Sequence, residues 1–189
     1  MINRRPFASG GIARTDAPSK WHPMPVPGSD RDWVVDHERA LVNAPALGAR
    51  VVILDAVGHI EAIGLGHLLA TLGTDVTVVT PLPTPVLLDA ETTAAALPLA
   101  ARAGMRWRPN TALVSIGDHE VTLVDVFARR PEVVTAVDTV VIRTHGVPDA
   151  ALHDALRERV PEVVRIGDAV AVRFADRAIF DGHMAARRL

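Results

Sequence analysis

Apolar and polar positions are most sharply ordered between residues 49 and 80. Val51 to Leu54 form an unbroken apolar run that ends at Asp55, and Val76, Val78 and Val79 form a second, β-branched run. Between them Ile60, Ile63, Leu65, Leu68, Leu69 and Leu72 recur at the spacing of one helical face. Gly58 falls where the chain must turn sharply, and Gly73 falls at the expected helix C-cap. Two short all-apolar strands flanking one helix predict a parallel βαβ unit whose strands are buried on both faces.

Downstream the pattern switches between the two periods. Residues 80–89 are a proline-rich loop, and residues 89–104 read as a helix capped by Asp89 or Thr92 and ending near Gly104. Met105–Pro109 and Thr111–Ile116 are short strand candidates, Gly117-Asp118 is a turn, and Glu120–Val126 alternates as a strand does, which together predict a β-meander hairpin. Residues 137–142 read as another buried strand, 149–159 as a helix ended by Pro161, 163–169 as a short strand and turn, and 174–189 as a closing helix. This alternation predicts an α/β fold, with a Rossmann-like parallel sheet, helices on both faces and the hairpin as an insert.

Residues 1–48 differ from the rest. They hold Pro6, Pro18, Pro23, Pro25, Pro27 and Pro45, and the stretch from Trp21 to Trp33 cannot be an ordinary helix or central strand. Trp21, Met24, Val26 and Trp33 predict an extended segment lying against another surface, because exposed aromatic residues at that density are unusual. Residues 34–44 read as a short helix before the first strand of the βαβ unit.

Composition removes several classes of function. Of the 189 residues 49% are hydrophobic, enough for a full core, and the net charge of −2 gives no footprint for nucleic acid or an anionic membrane. There is no cysteine, so thiol chemistry and cysteine-ligated zinc or iron–sulfur sites are excluded from this chain. The N-terminus has arginines but no apolar core of a signal peptide, and no stretch approaches a transmembrane length, so a cytoplasmic protein is expected. The eight histidines never fall at metal-ligand spacing, no serine sits in a G-x-S-x-G elbow, and no acid–base pair stands out. The chain alone is therefore not expected to make or break bonds.

Five short motifs carry a resemblance that covers nearly the whole chain. FASGG (7–11) and RTHG (143–146) sit like two A-T-G turns, and HPMPVPG (22–28) like a P-x-P-G linker. IGD (166–168), with DGHMAA (181–186) behind it, sits like a G-D motif and its helix. In this order and spacing they resemble the C-terminal third of the trimethylamine dehydrogenase and 2,4-dienoyl-CoA reductase group, the large relatives of old yellow enzyme. There a flavin-bearing TIM barrel with an iron–sulfur cluster is followed by interleaved FAD-like and NAD(P)H-like domains. The resemblance implies a linker and partial FAD-like segment over 1–48, an NAD(P)-binding-like Rossmann domain over 49–147, and a partial FAD-like segment with the G-D motif over 148–189. It implies no barrel in this chain, hence a split enzyme. A larger flavin-bearing TIM-barrel subunit would hold FMN and the cluster, and FAD or ADP would be shared between the two chains.

The nucleotide anchors are uneven. A dinucleotide fingerprint places G-x-G-x-x-G directly after the first strand, but only Gly58 lies in the turn, with Gly64 and Gly66 inside the helix where they permit close packing. The second strand ends in Thr80-Pro81, with no acidic residue for a ribose, so NAD(P)H is the weaker candidate. By resemblance a nucleotide pocket would include Ser9, Gly10, Thr144, Gly146, Gly167 and Asp168, with Gly58 and His59 as candidates in the βαβ turn. Asp168 suits hydrogen bonds from two hydroxyls, and it equally suits a helix N-cap or turn. Arg143 stands where the second A-T-G turn has a small residue and would either pair with phosphate or block the cleft. The leading reading is a nucleotide-domain subunit of a split flavin-dependent oxidoreductase. The alternative is a non-catalytic Rossmann-like scaffold needed only for assembly, and a free-standing NAD(P)H reductase is third.

Overall fold

The computed structural model describes residues 4–16, 19–160 and 162–188. Pro18, and Pro161 with its expected helix stop, lie outside the described residues. In chain order the strands and helices are β1 (Arg4–Phe7), β2 (Gly11–Ile12), β3 (Val34–Asp36), α1 (His37–Val42), β4 (Arg50–Asp55), α2 (Ile60–Thr71), β5 (Asp75–Val79), α3 (Ala90–Arg102), β6 (Arg106–Arg108), β7 (Thr111–Ile116), β8 (Glu120–Asp125), β9 (Pro131–Thr135), β10 (Thr139–Arg143), β11 (Val147–Pro148), α4 (Ala151–Leu156), β12 (Glu162–Arg165) and α5 (Ala175–Ala186). They form two compact units. The larger spans Ala13–Thr144, and the smaller joins the described residues up to Ile12 with those from His145 onward.

The larger unit is built on a five-stranded parallel sheet in the order β3-β10-β4-β5-β6. Strand alternation sorts its side chains into two cores. Val51, Ile53, Val76, Val78 and Val141 face one way and pack with residues of α1, α2 and α3. Val52, Leu54, Val79, Val140 and Ile142 face the other way, onto Leu113, Ile116, Val121 and Leu123 of an antiparallel sheet, β7-β8-β9. The α/β class and the meander follow the sequence, and in this unit the meander covers the second face where a helix layer was expected. β9 was not foreseen as its third strand, because an edge strand that is almost wholly exposed shows no alternation.

Helix α2 buries Ala62, Ile63, Leu65, Gly66 and Leu69, whereas Leu68 and Leu72, assigned to the inner face from their spacing, are exposed. The inner stripe is set by small residues. A Cβ at Gly66 would lie 2.5 Å from Met105 Sδ and 3.0 Å from Val78 Cγ2, so the helix rests closely on the sheet, while Gly64 faces open space. Beyond the C-cap Leu72, Gly73 donates to Ala70 O (3.0 Å) and Thr74 to Leu69 O (3.0 Å), a Schellman stop at the expected glycine. Residues 34–36 are strand and only 37–42 helix. The proline-rich segment lies against the meander: Ile116 N–H donates to Pro27 O (2.8 Å), Val26 is buried, and Trp33 stacks on His119 at 5.2 Å. Trp21 and Met24 are exposed, against expectation.

The smaller unit is a parallel pair, β1 with β12, an antiparallel crossing of β2 with β11, and helices α4 and α5. Helix α4 stops at Leu156, three residues short of the range expected from sequence.

Candidate functional site

In an open parallel sheet, ligands bind beyond the carboxyl ends of the strands, where neighbouring connections run in opposite directions. Both units present such an edge, and the two are furnished differently.

In the larger unit β4 and β10 are neighbours, with Arg143 paired in register to Asp55. Asp55 is fully buried and shapes the turn by an Asx motif: its Oδ1 accepts from the N–H groups of Val57 (3.0 Å) and Gly58 (2.8 Å). Gly58 turns at φ 78°, and a Cβ there would meet Leu82 Cδ1 at 2.7 Å. The loop after β5 folds onto this turn, with Leu87 N–H donating to Gly58 O (2.9 Å). Thr80 is buried and ties its own backbone to Arg108 and Thr111, so it offers no ribose anchor.

An acidic side chain occupies the head of α2. Glu61 accepts from His59 Nδ1 at 2.8 Å and from Arg143 Nη2 at 3.1 Å. Arg143, whose side chain is only 13% exposed, also donates to the Thr144 carbonyl. Burial works against the charge of Glu61, but its own backbone N–H, Arg143 and His59 outweigh it and hold the carboxyl below the ordinary value. Asp55 goes the other way: burial raises it, only partly offset by the two N–H bonds and Arg143. His37 is lowered, first by burial and then by Arg143. Asp55 Oδ2 and Arg143 Nε are buried and have no hydrogen-bond partner among the described residues.

In the smaller unit β1 and β12 run parallel, and both lead from their carboxyl ends into turns that the sequence singled out. Ile166 N–H donates to Phe7 O (2.9 Å), which sets the start of the G-D turn beside the start of the Ser9-Gly10 turn. Ser9 Oγ donates to Asp149 O, and Asp149 N–H to Gly10 O (3.1 Å), next to the β2–β11 crossing that holds Gly146. Gly167 turns at φ 60°, and a Cβ there would touch Ala178 of α5 at 3.4 Å. Asp181 of α5 clamps this turn, accepting from Gly167 N–H (3.2 Å) and pairing with Arg173. Asp168 accepts from Arg173 N–H at 3.1 Å, the turn role held open from sequence, and is half-buried. A cavity of about 570 Å³ opens in this unit, with Ile166, Phe180 and Met184 among its apolar walls and Arg165, Arg173 and Arg188 among its cations.

Ser9, Gly10, Gly146, Gly167 and Asp168 thus belong to the smaller unit, and Gly58, His59 and Thr144 to the larger, where Thr144 Oγ1 donates to Arg14 O (3.3 Å). Sequence reasoning missed Asp55, Glu61 and Asp181. The D-x-x-G spacing of Asp55 to Gly58 was the available signal for the first; the other two act through long-range partners. No group of three or more residues able to hold a metal occurs among the described residues, and none of their helices is long and apolar enough to cross a membrane.

No known family profile and no curated protein matches the chain. Solved structures do. The 6-hydroxypseudooxynicotine amine oxidase of Pseudomonas geniculata superposes with a TM-score of 0.89 at 25% identity, over 98% of this chain and 29% of its own. Histamine dehydrogenase from a Rhizobium species gives 0.88 at 21%, over 98% and 30%. A 2-naphthoyl-CoA reductase in complex with 2-naphthoyl-CoA gives 0.77 at 24%, over 96% and 26%. All three are oxidoreductases by name, and this chain spans less than a third of each. The likeness establishes an α/β fold shared, almost end to end, with part of such enzymes.

Proposed function

We propose that the chain is the nucleotide-domain subunit of a flavin-dependent oxidoreductase of the trimethylamine dehydrogenase type. A larger partner chain holds FMN, an iron–sulfur cluster and the substrate site, and FAD or ADP lies in a module that the two chains complete together. The observation that carries this reading is the smaller unit. Its two neighbouring parallel strands send the Ser9-Gly10 and Gly167-Asp168 turns out of one carboxyl edge, the place where such sheets hold nucleotides. A two-stranded parallel sheet is far short of a stable sheet, and the open cavity beside it leaves apolar side chains such as Phe180 exposed.

In this role Asp168 receives hydrogen bonds from ligand hydroxyls, and Gly167 allows a close backbone approach. The chain supplies positioning and electrostatics, and the flavin supplies redox chemistry. Purification from the native source tests the reading: a larger co-purifying chain with a flavin spectrum is expected, and a colourless, stable monomer indifferent to nucleotides would refute it. In the purified complex Asp168→Ala should lower the bound nucleotide several-fold, the scale of losing one charge-assisted hydrogen bond. Unchanged nucleotide content would leave Asp168 as a turn residue only.

One feature favours a second reading. The head of α2 is already filled by Glu61, which suits a scaffold whose Rossmann-like unit serves assembly without a nucleotide of its own.

A further inference from the structure

A parallel βαβ unit concentrates positive potential at its turn. The first helical N–H groups lack intrahelical partners, and nucleotide pyrophosphates settle against them in folds of this shape. In the larger unit that position carries an anion belonging to the chain. Glu61, in the first turn of α2, receives two side-chain donors: His59 Nδ1 at 2.8 Å and Arg143 Nη2 at 3.1 Å. An imidazole and a guanidinium beside a helix N-terminus make a donor set suited to a phosphate group.

The surroundings support the same assignment. Arg143 comes from β10, the strand beside β4 on the side away from β5, so it reaches the head of α2 at the point where the strand order reverses. It is largely buried, and leaving it unpaired there would cost far more than a surface charge. Beneath lies Asp55, a fully buried carboxyl that already takes the Val57 and Gly58 N–H groups of the turn.

We propose that Glu61 is an internal stand-in for a nucleotide phosphate, which neutralises Arg143 and keeps pyrophosphate groups out of the larger unit. Any nucleotide carried by the protein then sits elsewhere. This inference concerns the larger unit alone and stands whether or not a partner completes the smaller one.

The test uses the full chain and inorganic pyrophosphate, followed by titration calorimetry. Glu61→Ala should bind pyrophosphate about tenfold more tightly than the wild type, the scale of one freed charge-assisted contact. Glu61→Gln, which keeps the shape and loses the charge, should show a smaller gain, and it remains readable if the alanine variant folds poorly. Adding Arg143→Ala to Glu61→Ala should erase the gain. Pyrophosphate binding common to all variants arises at other sites and cancels in the comparison. No gain in either Glu61 variant, or a gain that survives loss of Arg143, would overturn the proposal.

Discussion

Ile53 and Ile179 are the same residue type in regular structure, yet Ile53 is fully buried in β4 and Ile179 on α5 is 72% exposed, beside an exposed Phe180. The contrast extends to the two units. In the larger one each face of the parallel sheet has its own closed core, and the ligand edge is closed by Glu61 and the loop over Gly58. In the smaller one two parallel strands, the short β2–β11 pair, two turns at one edge and an open cavity of mixed apolar and charged lining take the place of a layered sheet core. The unit that looks most like a nucleotide fold from its sequence is the one that fills its own site. The fragmentary unit carries the larger open cavity, of about 570 Å³ against about 300–330 Å³ in the other.

That contrast can be broken by measurement. Ile53→Ala should cost about 2–5 kcal/mol in urea unfolding, while Ile179→Ala should stay within about 0.5 kcal/mol in the chain alone. Trp21, Trp33 and Trp107 all lie in the larger unit, so fluorescence follows that unit while circular dichroism follows both. A loss at Ile179 matching that at Ile53 would mean the smaller unit is packed on its own. Next in size, Gly58→Ala forces a positive φ onto alanine and a Cβ against Leu82, and should lower the free energy of unfolding by about 1–3 kcal/mol, read as a lower urea midpoint. An unchanged midpoint would show the turn to be looser than its hydrogen bonds suggest.

The smallest effect is a slope. Burial raises the Asp55 pKa above its unfolded value, so the fold favours the protonated carboxyl. Its contribution is fully present below the ordinary aspartate value of about 3.9 and is lost as pH rises through the raised folded value. Melting temperatures of Asp55→Asn should therefore fall less than those of the wild type across that window. Parallel curves would mean that Arg143 and the turn N–H groups fully offset the burial.

Local pattern carried most of the fold. The two apolar runs around α2, the helix of residues 90–102 and the β7–β8 hairpin are each set by neighbours in sequence, and each is where its periodicity puts it. β9 and the β2–β11 crossing are not legible in that way: one is too exposed to alternate, and the other is two residues against two from distant parts of the chain. The site follows the same rule. Gly58 and Gly167 announce their turns because both require positive φ. An acid at the start of a helix reads as an ordinary dipole partner, and nothing local in Glu61 reveals that Arg143, from beyond the meander, will reach it. Arg143 itself was legible as an intrusion, with its partner unknown.

The pairing of β1 with β12 has a consequence for how the chain acquires its structure. The whole of the larger unit lies between these strands in sequence, so the smaller unit cannot begin to close until β12 has been synthesised. The larger unit has no such wait, and once folded it ties its two termini together, Thr144 Oγ1 to Arg14 O. The loop that separates β1 from β12 is then short in effect, and most of its closure entropy has already been met by the folding of the larger unit. A ribosome-bound chain stalled before β12 would hold a finished Rossmann-like unit and an unpaired β1, which makes β1 the segment most in need of protection until β12 emerges.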